Sequence, residues 1–129
     1  MKKLENFIRA LANLEQINAY NEPYSTVELI GMVELYEICF EQAWKAIKEL
    51  LESRGYAEGK IGSPKLILKT AYSAGVIEDE ELWLSALQAR NNVADAYNRA
   101  MALDIINSAK ARYLPMFRLL KQTIEDNLK

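Results

Sequence analysis

The sequence predicts an all-α protein: a five-helix up-and-down bundle with a four-helix-bundle-like core and a kinked C-terminal helix. Three observations carry that expectation. Apolar residues recur at three- and four-residue steps through most of the 129 residues. No segment shows the two-residue alternation of a half-buried strand. The breaks between periodic segments coincide with helix caps and stops. Half the residues are apolar and 26% charged, with five Gly and three Pro, a composition able to bury about two-thirds of the unfolded surface in one domain spanning residues 1–129.

The first helix spans residues 2–19, with Leu4, Phe7, Ile8, Leu11, Leu14 and Ile17 on one face. Pro23 interrupts, and Ser25 with Glu28 has the spacing of a capping box. A long second helix over 27–54 carries Ile30, Val33, Tyr36, Phe40, Ala43, Trp44, Ile47, Leu50 and Leu51, and Gly55 is placed to end it. The loop from Gly55 to Gly62 has the glycines of a phosphate cradle but not the spacing, and Ile61 stands where a magnesium-binding hydroxyl is needed, so it reads as a connector. Ser63-Pro64 caps and starts a third helix that Gly75 stops. Asp79 caps a fourth, with Leu82, Trp83, Ala86 and Leu87 inward. The fifth covers 98–127 through Leu103, Ile106, Ala109, Tyr113, Phe117, Leu120 and Ile124. Pro115 lies inside it and removes an amide donor, which predicts a kink at 111–115.

Composition also excludes chemistry. There is no His, so histidine-based triads and helical His-Glu-x-x-His zinc sites are absent. The single Cys39 makes no internal disulfide and sits in an apolar stretch as a small hydrophobe. Sixteen basic against 18 acidic residues, net −2, argue against a broad nucleic-acid surface, although a local basic patch can still hold a phosphate. Neither a signal peptide nor about 18 continuous apolar residues is present, giving a cytoplasmic, non-membrane expectation. No cofactor or metal is expected. Glu34, Glu37 and Glu41 repeat on helix two, but a di-metal bundle also needs Glu-x-x-His pairs, so they read as a solvated face. Trp44 and Trp83 read as core anchors.

The least ordinary stretch runs from Leu82 to Tyr97, where an amphipathic helix meets a polar cluster. Arg90 offers a planar, permanently charged fork for phosphate oxygens, Asn91 donates and accepts, and Asp95 and Tyr97 add a carboxylate and a phenol. The group suits a nucleotide. The alternative is structural: Asn91-Asn92 closes the helix while Arg90 pairs with Asp95 at the surface. For Tyr97 the corresponding alternative is a ring packed on the bundle.

Taken in order, three blocks resemble one family. Tyr36-Glu37-Ile38-Cys39-Phe40-Glu41-Gln42-Ala43-Trp44-Lys45 is similar to its Phe-Glu-x-x-Phe-Glu-x-Ala-Trp-Lys helix, and Ser63-Pro64-Lys65 through Ala71-Tyr72-Ser73-Ala74-Gly75-Val76-Ile77 to its Ser-Pro-Arg…Ala-Phe-x-Ala-Gly-Leu-Ile segment. Glu81-Leu82-Trp83 leading to Arg90-Asn91 and Tyr97 completes the pattern. The chain thus resembles the nucleotidyltransferase substrate-binding proteins, a branch of the HEPN (higher eukaryote and prokaryote nucleotide-binding) superfamily. The resemblance implies a helical homodimer working beside a separately encoded minimal nucleotidyltransferase, often as a toxin and antitoxin pair, with nucleotide or RNA as further partners. Active members carry Arg, four residues, His, one residue, Tyr, and cleave RNA without metal. Here Arg90 and Tyr97 hold their places and Asp95 replaces the His, a degenerate catalytic pair, since a carboxylate is a weak base and rarely an acid at neutral pH. The implied function is a non-catalytic or weakly catalytic substrate-binding partner, with Asn91 and Tyr97 as substrate-binding or modification residues. The alternative is a ribonuclease toxin with a degraded motif.

Overall fold

The computed structural model describes residues 1–57 and 62–127. Among these residues every regular element is helical. α1 (Lys2–Leu14) tightens into a 3₁₀ turn (Glu15–Ala19), and α2 (Thr26–Ser53) follows a connector with a cis Glu22–Pro23 peptide. α3 (Pro64–Ser73), α4 (Glu80–Asn91) and a 3₁₀ turn (Asn92–Asp95) lead to α5 (Arg99–Ser108). A π turn (Ala109–Tyr113) joins α5 without a break to α6 (Leu114–Asn127), so the two form the single fifth helix of the bundle.

The local signals act as their chemistry requires. At the start of α2, Ser25 Oγ accepts from the Glu28 amide at 3.0 Å and Glu28 Oε1 from the Ser25 amide at 2.8 Å, closing the capping box. Ser63, Asp79 and Asn98 cap α3, α4 and α5 through the amides of Leu66, Leu82 and Met101. Gly55 and Gly75 adopt φ +82° and +78°. Each lets the next amide, of Tyr56 or Val76, reach back to Leu51 or Ala71, the hydrogen-bond pattern of a Schellman stop. The glycine loop considered as a phosphate cradle runs through residues 58–61, outside the described residues. Pro115 produces an irregularity just before itself: the widened turn at Ala109–Tyr113 absorbs the missing amide while the helix continues.

α2 is the central element, packed against α1, α3, α4 and α5, while α1 also meets α6. Aromatic rings fill the middle. Tyr36 lies 5.5 Å from Tyr113, Trp83 5.7 Å from Phe117 and Phe7 6.1 Å from Phe117, centroid to centroid. The buried Tyr36 hydroxyl donates to the Ala86 carbonyl at 2.6 Å, tying α2 to α4, and burial raises its phenol well above the ordinary range, which keeps the donor protonated. Two apolar expectations for α2 shift. Ile30 is exposed, Trp44 is only half-buried, and Leu29 and Met32 are buried instead. The cause is a helix apolar on more than one side, whose periodicity does not select a face. Cys39 is buried, and that burial pushes its thiol far above the usual range, so it behaves as a small hydrophobe.

Candidate functional site

Arg90 occupies the last turn of α4 with about a third of its side chain exposed. Side chains lean toward the N-terminus of their own helix, which carries its guanidinium back along α2. There Nη2 forms an ion pair with Glu41 Oε1, while Nη1 donates to Asn91 Oδ1 at 3.3 Å. The other Glu41 oxygen accepts from Trp44 Nε1 at 3.2 Å. Trp44, Glu41, Arg90 and Asn91 thus form one chain of polar contacts across two helices.

This geometry corrects the sequence-based pairing of Arg90 with Asp95: its carboxylate partner is Glu41 of α2. It also corrects the reading of Glu41 as part of a solvated face, since only 21% of its side chain is exposed. Glu34 remains exposed and Glu37 half-buried. Partial burial raises the Glu37 carboxyl above its ordinary value, Glu34 adds to the rise through its charge and a hydrogen bond, and Arg90 opposes it. Among the described residues no group of three or more acidic, Cys or His side chains is arranged to hold a metal ion.

Beyond Asn91 the backbone turns sharply. Gln88 Nε2 donates to Asn92 Oδ1 at 3.0 Å, the Ala96 amide to Val93 O at 3.0 Å, and the Asn98 amide to Asp95 O at 3.0 Å. Ala96 is buried and pins this junction to the bundle, so its two neighbours face outward. Asp95 is exposed, and Tyr97 is 86% exposed. The ring is therefore not packed on the bundle, and its hydroxyl is open to any reactant. The structure brings Arg90 and Asn91 together, leaves Asp95 and Tyr97 exposed on either side of buried Ala96, and, among the described residues, forms no ion pair between Arg90 and Asp95. Sequence reasoning missed Glu41 and Trp44 as members of the group. Their three-residue spacing on one helix was the available signal that they share a face.

The family model described as "Nucleotidyltransferase substrate binding protein like" matches residues 2–126. The search of curated proteins finds no match. Among solved structures, one from Thermus thermophilus is 27% identical with a TM-score of 0.73, covering 93% of this chain and 97% of that one. HI0074 from Haemophilus influenzae is 20% identical with a TM-score of 0.80, covering 95% and 98%, and is described as having the fold of a substrate binding domain of a nucleotidyltransferase. At that identity the likeness concerns the fold.

Proposed function

Because the chain belongs to the nucleotidyltransferase substrate binding protein-like family, we propose that it serves as the substrate-presenting partner of a separately encoded minimal nucleotidyltransferase. In this reading it is a single helical domain, a homodimer and a cytoplasmic protein, non-catalytic or weakly catalytic on its own. The family match over nearly the whole chain is the observation that carries it. The described helices include none long and apolar enough to cross a membrane.

Arg90 and Asp95 argue for a partner over a ribonuclease. Glu41 already compensates the guanidinium that an RNA phosphate would need, and Asp95 sets negative charge on the approach. Tyr97 supports the nucleotidyl-acceptor role. Its exposed phenolic oxygen attacks the α-phosphorus of ATP, a new P–O bond forms, pyrophosphate leaves, and the phenolic proton passes to a base of the partner. Incubation of the chain with its neighbouring nucleotidyltransferase, ATP and magnesium, followed by intact mass, tests this. AMP additions that vanish in Tyr97→Phe are expected. An unchanged mass with a demonstrably active partner removes the acceptor role, and failure to co-purify with that partner removes the partnership itself.

A further inference from the structure

A cleft of about 300 Å³ opens between the α3–α4 connection, the first turns of α4 and the C-terminal helix where the π turn passes into α6. Val76, Leu82, Trp83, Met116 and Leu119 line it, so its interior is apolar. Leu119 is 48% exposed although its neighbour Leu120 is buried. Small-molecule sites are concave and mainly apolar, with a few polar groups that orient the ligand, and this volume lies at the small end of their range. π turns concentrate at functional sites, and this one sets Arg112 at the mouth.

The polar groups at that mouth specify the ligand. Arg112 Nη2 donates to Ser85 Oγ at 3.1 Å and to the Tyr113 hydroxyl at 3.2 Å, and the guanidinium carbon lies 5.3 Å from the Tyr113 ring centroid. These contacts fix its position without neutralising it, because among the described residues Arg112 forms no ion pair. It stands ready as a planar donor for one carboxylate. Glu78 and Asp79 line the same cleft, and a shallower depression sharing Asp79, Leu82 and Arg112 continues it to Glu81. Asp79 Oδ1 is occupied by the Leu82 amide, but its charge remains. Acidic side chains therefore outnumber the arginine. A nucleoside triphosphate is repelled, a simple cation meets the guanidinium, and a molecule bearing one carboxylate and one ammonium on an apolar body meets a partner for each part.

We propose that this cleft binds a small zwitterion with one apolar side group, of the size of a branched or aromatic α-amino acid. Arg112 receives the carboxylate, the Glu78–Asp79 corner receives the ammonium, and the Trp83-lined interior takes the side group. The site shares no residue with the Arg90 to Tyr97 region and does not rest on the nucleotidyltransferase reading.

The test uses the full ¹⁵N-labelled chain, titrated with L-phenylalanine and L-leucine. Hydrocinnamate and phenethylamine, each lacking one charge, and glycine, lacking the apolar body, are the comparison ligands. Saturable shifts of the Val76 and Leu119 amides and the Trp83 indole are expected with the first two. Loss of either charge, or Arg112→Gln, is expected to weaken binding at least about tenfold. Arg112 is exposed, so its variant folds, which an unchanged spectrum away from the cleft verifies. The proposal is overturned by no saturable shift with either amino acid up to about 10 mM, by hydrocinnamate binding as tightly as phenylalanine, or by unweakened binding to the Arg112→Gln chain.

Discussion

Arg90 carries a permanent charge into a partly buried position, and Glu41 is the group that compensates it there. Removing either partner leaves the other underpaired in a poorly solvated place, so Arg90→Ala and Glu41→Ala are each expected to cost about 1–2 kcal/mol in urea unfolding. The double variant is expected to cost less than the sum, with a coupling of about 1 kcal/mol. Strict additivity would show that the pair does not stabilise the bundle. Glu37, on the same face, responds to pH in the opposite sense from most carboxylates. Its folded value lies above the ordinary 4.5, chiefly because burial disfavours the charge and Glu34 repels it. The folded state therefore holds that proton more tightly, and the associated stability is complete below the unfolded value and lost as pH rises through the folded one. Glu37→Gln is expected to leave the melting temperature unchanged at low pH and to raise it near neutrality, while an equal effect at both would sink the assignment. Arg90 and Asn91 were legible in the sequence as one polar group, but the carboxylate that pairs with Arg90 was not. Arg90 with Asp95 and Arg90 with Glu41 are equally plausible by charge, and only the packing of α4 on α2 chooses between them.

Elements that depend on neighbouring residues were legible in detail, because capping and stopping are local chemistry. Ser25 with Glu28, Ser63 with Pro64, and Asp79 each satisfy orphan amides within one turn, and Gly55 and Gly75 supply the left-handed residue that ends a helix. Pro115 announced a distortion by its missing donor, but whether the helix bends or widens depends on tertiary packing. Buried Tyr113 and Leu114 before it and Met116 and Phe117 after it hold the helix in place while the π turn takes up the irregularity. The inward face of α2 was the harder reading, since both Ile30 and Leu29 fit an apolar stripe. Two glycines separate conformational need from mere occupancy. Gly75 has φ +78°, so Gly75→Ala is expected to destabilise by about 1–2 kcal/mol even though nothing lies within 4 Å of the added carbon. Gly31 sits inside α2 with helical backbone and equally open space, so Gly31→Ala is expected to stabilise by up to about 1 kcal/mol. Thermal unfolding of the two variants side by side checks the contrast, which fails if both move in the same direction.

At the scale of the whole molecule, the proposed homodimer needs a surface, and α2 supplies one. Leu29 and Met32 are used inside the bundle, whereas Val27 is 83% exposed, Ile30 44% and Ile38 42%. With Gly31 and Glu34 between them, these residues recur at three- and four-residue steps, forming a stripe roughly 17 Å long on one side of the helix. An apolar stripe of this kind on a small bundle marks an interaction surface more often than a scatter of single exposed residues does. A two-fold axis sets this stripe of one protomer against the same stripe of its partner, so Val27, Ile30 and Ile38 can cover one another. Ile38→Glu and Ile30→Glu add like charge to a surface already carrying Glu34 and Glu37 while disturbing nothing buried. Each is therefore expected to convert the dimer to a monomer in light scattering at micromolar concentration while keeping the helical circular dichroism of the parent, with only the stability supplied by association lost. Leu66→Glu, at an equally exposed apolar position on α3, is expected to leave the dimer intact, which separates loss of this face from a general effect of added charge. A parent chain that scatters only as a monomer removes the homodimer, and a dimer that survives Ile38→Glu and Ile30→Glu but not Leu66→Glu transfers the contact from α2 to α3.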